Sequence, residues 1–69
     1  MSTAPLITRR DSETFAGCFV LSTATRVGDD NVVTELVTDP RSQSASDARA
    51  ELLANHADRL AKAERRRSR

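Results

Sequence analysis

Residues 14–38 read TFAGCFVLSTATRVGDDNVVTELVT, and this stretch decides the fold. Two runs rich in Val, Leu, Phe and Thr flank four consecutive turn-forming residues, 28–31. β-Branched and aromatic residues favour strands, whereas glycine and asparagine adopt a positive φ at low cost. The stretch therefore predicts a β-hairpin with a first strand over 14–26 and a return strand over 32–38.

The first predicted strand has two unequal faces, because successive side chains of a strand point to opposite sides. The larger alternating set is Phe15, Gly17, Phe19 and Leu21. The smaller set is Ala16, Cys18, Val20 and Ser22. We expect the first set to form the main buried face and the second set to be only partly covered.

The return strand ends at Asp39-Pro40, since the residue before proline is held extended and proline cannot continue a ladder. Within this strand Glu35 shares one side with Val33 and Val37, and we expect it to face outward unless a bulge shifts the register. The sequence leaves both alternatives open.

A helix is predicted to begin near residue 44, where either Ser44 or Ser46 can act as the N-cap. At 100° per residue, one apolar stripe collects most of the alanines and leucines of this segment. We expect the stripe to be Ala50, Leu53, Ala57, Leu60 and Ala61, with Leu52 and His56 on its shoulder. Beyond Ala61 the stripe stops, so the last turns are predicted to project into solvent or to fray.

These elements predict an α+β fold, a small β-β-α unit in which one C-terminal amphipathic helix covers a hairpin. Leu6 and Ile7 could add a short third strand at its edge. The expected organisation is a flexible N-terminal arm or edge strand over 1–12, a single domain over 13–61 and a basic C-terminal extension over 62–69.

The chain has 69 residues and a formal net charge of +1, so it can form only one small domain with a thin core. Cys18 is the only cysteine, which excludes an intramolecular disulfide and a cysteine-based zinc site, and we interpret it as a small buried hydrophobe. No run is long and apolar enough for a membrane span or a signal peptide. We expect a cytoplasmic protein with no membrane partner.

Candidate catalytic and metal-binding residues are few. His56 is the only histidine, and a catalytic pair with Cys18 is disfavoured against a histidine that flanks the core or is exposed. No serine-nucleophile motif or glycine-rich phosphate loop is present, and 29–31 lacks the spacing of a calcium loop. We therefore predict no enzymatic activity, no cofactor and no metal.

Basic residues near both ends of the chain are the candidate partner-binding residues: Arg9, Arg10, Lys62, Arg65, Arg66, Arg67 and Arg69. The leading expectation is a non-enzymatic module that binds a larger protein, such as a phage-type inhibitor or modulator of a host complex. One alternative is a nucleic-acid-binding protein that uses the arginine-rich end, although ten acidic residues offset the basic ones. Another is a self-assembling piece, a homodimer joined through the hairpin edge or through Leu53 and Leu60.

Overall fold

The structure, a computed structural model, describes residues 6–67. In that range the chain forms β1 (Ile7–Asp11), β2 (Phe19–Val27), β3 (Asp30–Thr38) and the helix α1 (Ala45–Arg67). The strands make one antiparallel sheet in the order β1-β2-β3, and α1 packs on β2 and β3. The predicted α+β fold is confirmed, with a third strand that runs as far as Asp11.

The hairpin turn is shorter than the predicted 28–31, because β2 ends at Val27 and β3 begins at Asp30. Gly28 has a φ of 63°, a conformation that glycine adopts at little cost. Cross-strand partners then follow without interruption from Val27 and Asp30 to Phe19 and Thr38. A ladder without a bulge leaves Glu35 on the face opposite the helix and resolves the alternative that the sequence left open.

The start of β2 differs from the expectation, since the strand begins at Phe19 and the preceding residues form an ordered loop. Gly17 has a φ of 80°, which turns the chain, and the Ser12 N–H donates to the Cys18 carbonyl at 3.0 Å across the loop. Phe15 therefore lies outside the strand, and its assignment to the main buried face was wrong. Phe19 and Leu21 lie under the helix as predicted, but the expectation that Val20 is only partly covered is wrong, because Val20 is 7% exposed.

The helix begins as predicted, because the Ser44 hydroxyl accepts the Asp47 N–H at 3.1 Å and so caps the N-terminus. It then continues to Arg67, beyond the point where the apolar stripe was expected to fail. Ala63 is buried, and the Arg67 side chain lies against Gly28 at the hairpin turn. Of the two predicted alternatives after Ala61, fraying is wrong for 62–67, because the helix continues and covers the end of the hairpin through Ala63 and Arg67, while Lys62, Arg65 and Arg66 are exposed. Residues 68–69 lie outside the described range.

The buried stripe of α1 also differs from the predicted one. The buried helical residues are Ala48, Leu52, His56 and Ala63. Leu52 is 0% exposed, whereas its neighbour Leu53, predicted to lie on the stripe, is 37% exposed. The helix is turned by about one residue, roughly 100°, from the position that leucines and alanines alone favour.

His56 explains that rotation. The side chain is 1% exposed, and its two ring nitrogens contact hydroxyls on adjacent strands. Nε2 lies 2.8 Å from Oγ1 of Thr25, and Nδ1 lies 2.8 Å from Oγ1 of Thr34. A neutral imidazole donates through one nitrogen and accepts through the other, and a hydroxyl can serve either role, so every polar atom of this cluster is satisfied.

The apolar core is small, with Phe19 and Leu21 of β2 packed against Ala48 and Leu52 of α1. Ile7 and Leu36 close its sides. The Arg9 guanidinium lies 4.1 Å from the centre of the Phe19 ring and covers the core at the β1 edge. In the described part of the chain, no helix is long and apolar enough to cross a membrane.

Candidate interaction surface

The sheet face opposite α1, called the open face below, is covered by no helix or strand of residues 6–67. Strand alternation and the observed register determine which side chains it carries. They are Thr8, Arg10, Val20, Ser22, Ala24, Arg26, Asn31, Val33, Glu35 and Val37. This face therefore carries four apolar side chains on β2 and β3, and the charged Glu35 lies between the two valines of β3.

Three large apolar side chains are exposed on or beside the open face. Phe15 is 55% exposed, Val37 49% and Val33 42%. Single exposed apolar residues are common on protein surfaces, but adjacent ones indicate a site for contact with another molecule, and Phe15 and Val37 line the same hollow.

The loop before β2 holds Phe15 in place. The Ser12 hydroxyl accepts the backbone N–H of Phe15 at 3.0 Å, and the Phe15 carbonyl accepts the N–H of Cys18 at 3.1 Å. These bonds fix the backbone on both sides of the aromatic residue. Phe15 is thus presented by an ordered turn, and less conformational entropy would be lost when it enters an interface.

A shallow hollow of about 350 Å³ lies between this loop and the sheet, lined by Phe15, Val20 and Val37. Its polar side includes Asp11, Glu13 and an ion pair across the strands, in which Nη1 of Arg10 is 2.9 Å from Oε2 of Glu35. The hollow thus combines an apolar floor with an excess of carboxylates, which suits an apolar or basic side chain of a partner better than a phosphate.

The outer edge of β3 pairs with no strand in the described part of the chain, and β3 is nine residues long. Its interior carries one charged residue, Glu35, and no proline. The opposite edge, β1, has only five residues, three of which are Arg9, Arg10 and Asp11. Short, charged edges disfavour pairing with another strand, whereas long edges rich in β-branched residues favour it. The edge of β3 is therefore better suited to pairing with an added strand than the edge of β1.

The basic residues predicted near the N-terminus do not lie together. Arg9 and Arg10 are neighbours in β1, so their side chains point to opposite faces. Arg9 covers Phe19 on the helix side, while Arg10 pairs with Glu35 on the open face.

The basic residues of the C-terminal segment lie at the other end of a molecule that is 42 Å long. Nζ of Lys62 is 3.2 Å from Oδ2 of Asp58, and Arg67 packs on Gly28. Arg65 and Arg66 are exposed, and Arg69 lies outside the described residues. The candidate basic residues from 9 to 67 therefore do not form one patch, and their role in binding stays a prediction.

The structure also separates the two candidate catalytic residues. His56 lies near Thr25 in the second half of β2, whereas Cys18 is half-buried just before the first residue of that strand. Among residues 6–67 no group of three histidine, cysteine, aspartate or glutamate side chains could hold a metal ion. Burial lowers the pKa of His56, and the positive charge of Arg59 lowers it further.

The exposed apolar residues were missed as a binding surface, although part of the signal was present in the sequence. The alternation of Val33, Glu35 and Val37 indicates a face that a helix does not cover. Phe15 gave no such signal, because its loop conformation depends on Gly17 and on hydrogen bonds across the loop.

No protein-family model matches this chain, and neither a curated protein nor a solved structure was found to be similar to it.

Proposed function

We propose that this protein is a non-enzymatic protein-binding module that contacts a larger protein through its open face. The observation that carries the proposal is the set of exposed apolar residues Phe15, Val33 and Val37 on or beside one side of a sheet whose other side packs against α1 through β2 and β3. Exposed apolar area of this kind gains stability when it is buried against a complementary surface.

The arrangement favours a protein partner over a nucleic acid at this face. Arg10 is already paired with Glu35, and Phe15 is the only aromatic side chain on or beside the open face, so neither a run of phosphates nor a series of stacked bases is matched. A module of this size would modulate its partner by steric occlusion of a surface that the partner needs, as a phage-type inhibitor of a host complex does.

Affinity capture with the tagged protein tests the proposal, with two variants that each introduce one lysine at an exposed position. Val37→Lys places the charge in the hollow of the open face, and Ala57→Lys places it on the exposed side of α1. We expect the wild-type protein and Ala57→Lys to retain one stoichiometric partner from a lysate of the source cells, and Val37→Lys to lose it.

Capture that is equal for both variants would place the interaction elsewhere on the molecule. A captured nucleic acid that is released when 65–69 is deleted would replace the proposal with the nucleic-acid alternative.

A further inference from the structure

We infer that the free edge of β3 binds an extended segment of the partner, with a basic residue opposite Glu35 and apolar residues opposite Val33 and Val37. The inference rests on the proposed function and specifies the partner's chemistry. In an antiparallel sheet the backbone N–H and C=O groups of an outer strand point alternately toward its neighbour and away from it. An added strand would satisfy the groups that point away from β2.

The side chains beside that edge determine what the added strand should carry. Val33, Glu35 and Val37 are two residues apart on the open face, and residues directly opposite each other on paired strands have Cβ atoms about 5 Å apart. Apolar residues opposite the two valines would enlarge the apolar surface that begins at Phe15 and Val20. A lysine or arginine opposite Glu35 would give its half-exposed carboxylate a second cationic neighbour besides Arg10.

A second copy of this chain fits the edge poorly. Two β3 strands related by a two-fold axis pair antiparallel, and the register that sets Val33 opposite Val37 also sets Glu35 opposite Glu35. A shift of the partner strand by two residues in either direction places a valine opposite Glu35 instead. The matched occupant is therefore a different chain, with an apolar-x-basic-x-apolar segment in extended conformation.

Synthetic nine-residue peptides provide the test. The matched peptide consists of threonines with valine at the third and seventh positions and lysine at the fifth. The first control has glutamate at the fifth position, and the second moves both valines by one position so that they face the other side. Binding is followed by amide hydrogen exchange and chemical shifts of the isotope-labelled protein.

We expect the matched peptide to protect amides of β3 and not those of β1, and to bind at least about fivefold more tightly than either control. The double variant Arg10→Glu/Glu35→Lys keeps the ion pair with its signs exchanged. This variant should bind the glutamate peptide more tightly than the lysine peptide. If the ion pair had only a structural role, the preference would not reverse.

Equal binding of the lysine and glutamate peptides, protection at β1, or no protection at β3 would overturn the inference. A wild-type dimer in sedimentation that Val37→Lys dissociates would also overturn it, in favour of a second copy. If Val37→Lys loses the captured protein while the peptides leave β3 unchanged, only the strand pairing is wrong and the proposed function stands.

Discussion

The two faces of the sheet carry similar residue types, threonine and aliphatic residues, but the helix side buries them and the open face leaves several exposed. On the helix side, Thr25 and Thr34 bind His56, and Leu21 packs against Leu52, while the buried Thr38 hydroxyl has no hydrogen-bond partner among residues 6–67. On the open face, Val33 and Val37 remain exposed. Most of the buried core thus lies on one face, which leaves most of the other face available to the proposed partner.

The largest effect on stability is expected at the leucine pair of α1, where Leu52 is buried against the sheet and Leu53 is partly exposed. Leu52→Ala removes a fully buried side chain, which costs about 2–5 kcal/mol, and a core of this size supplies only about 3–5 kcal/mol. Leu53→Ala is the matched control and should cost about 1 kcal/mol or less. Urea denaturation followed by circular dichroism measures both, and equal losses would show that the helix is not turned as described.

Two threonines of β3 on the helix side should respond with opposite signs to the same substitution. Thr34→Val leaves Nδ1 of His56 without its hydroxyl and should destabilise the protein by about 1–3 kcal/mol. Thr38→Val should stabilise it by about 1 kcal/mol, because the buried Thr38 hydroxyl has no hydrogen-bond partner among residues 6–67. Thr34→Ser keeps the hydroxyl and should lose less than Thr34→Val. Stabilisation by Thr34→Val would contradict the role of His56, whereas destabilisation by Thr38→Val would contradict an unpaired Thr38 hydroxyl.

Stability should fall as the pH is lowered from 7 to 5, because the pKa of His56 is lowered from 6.5 by burial and by Arg59. The unfolded chain then binds the proton more readily than the folded one, so the stabilisation is complete above about pH 6.5 and is lost below it, at no more than about 1.4 kcal/mol per pH unit. Asp39, whose pKa the Arg41 guanidinium lowers from 3.8 through a side-chain hydrogen bond, titrates outside this window.

The chain has a single histidine, so its NMR signals can be followed without ambiguity. An imidazole that titrates at or above pH 6.5, or a urea midpoint that is equal at pH 7 and pH 5, would contradict the prediction. The charge of Arg59 on α1 acts on His56, and the neutral Thr25 and Thr34 contact its ring from the strands. On β3, the acidic residue on the helix side is Asp30, at the hairpin turn.

The smallest effect is expected on the open face. Val37→Lys should change the free energy of unfolding by less than about 0.5 kcal/mol, because half of the side chain is exposed and a lysine stem can cover the same surface. The urea midpoint checks this value. A loss above about 1 kcal/mol would mean that the valine is packed and that the face is not free for binding.

The hairpin, the helix and its cap could be predicted from the sequence because each depends on local chemistry. A glycine at the turn, alternating β-branched residues and Ser44 before Asp47 act within a few residues of one another. The helix face could not be predicted in this way. Apolar periodicity favours Leu53, and only the two hydroxyls of the sheet make burial of His56 favourable.

The candidate surface, too, could be predicted from the sequence only in part. Alternation along β3 places Val33, Glu35 and Val37 on one side and predicts that this side faces outward, but only the structure excludes a bulge that would have shifted the register. The position of Phe15 depends on hydrogen bonds between Ser12 and residues further along the loop.

Local order in this protein, namely its strands, turn, helix start and edge charges, follows from the amino-acid sequence, because propensity and periodicity act over a few residues. The tertiary structure alone decided which face of α1 is buried, that 62–67 covers the hairpin end, and which sheet face stays open. Each of these depends on groups far apart in the chain that must satisfy one another's hydrogen bonds and exclude water together.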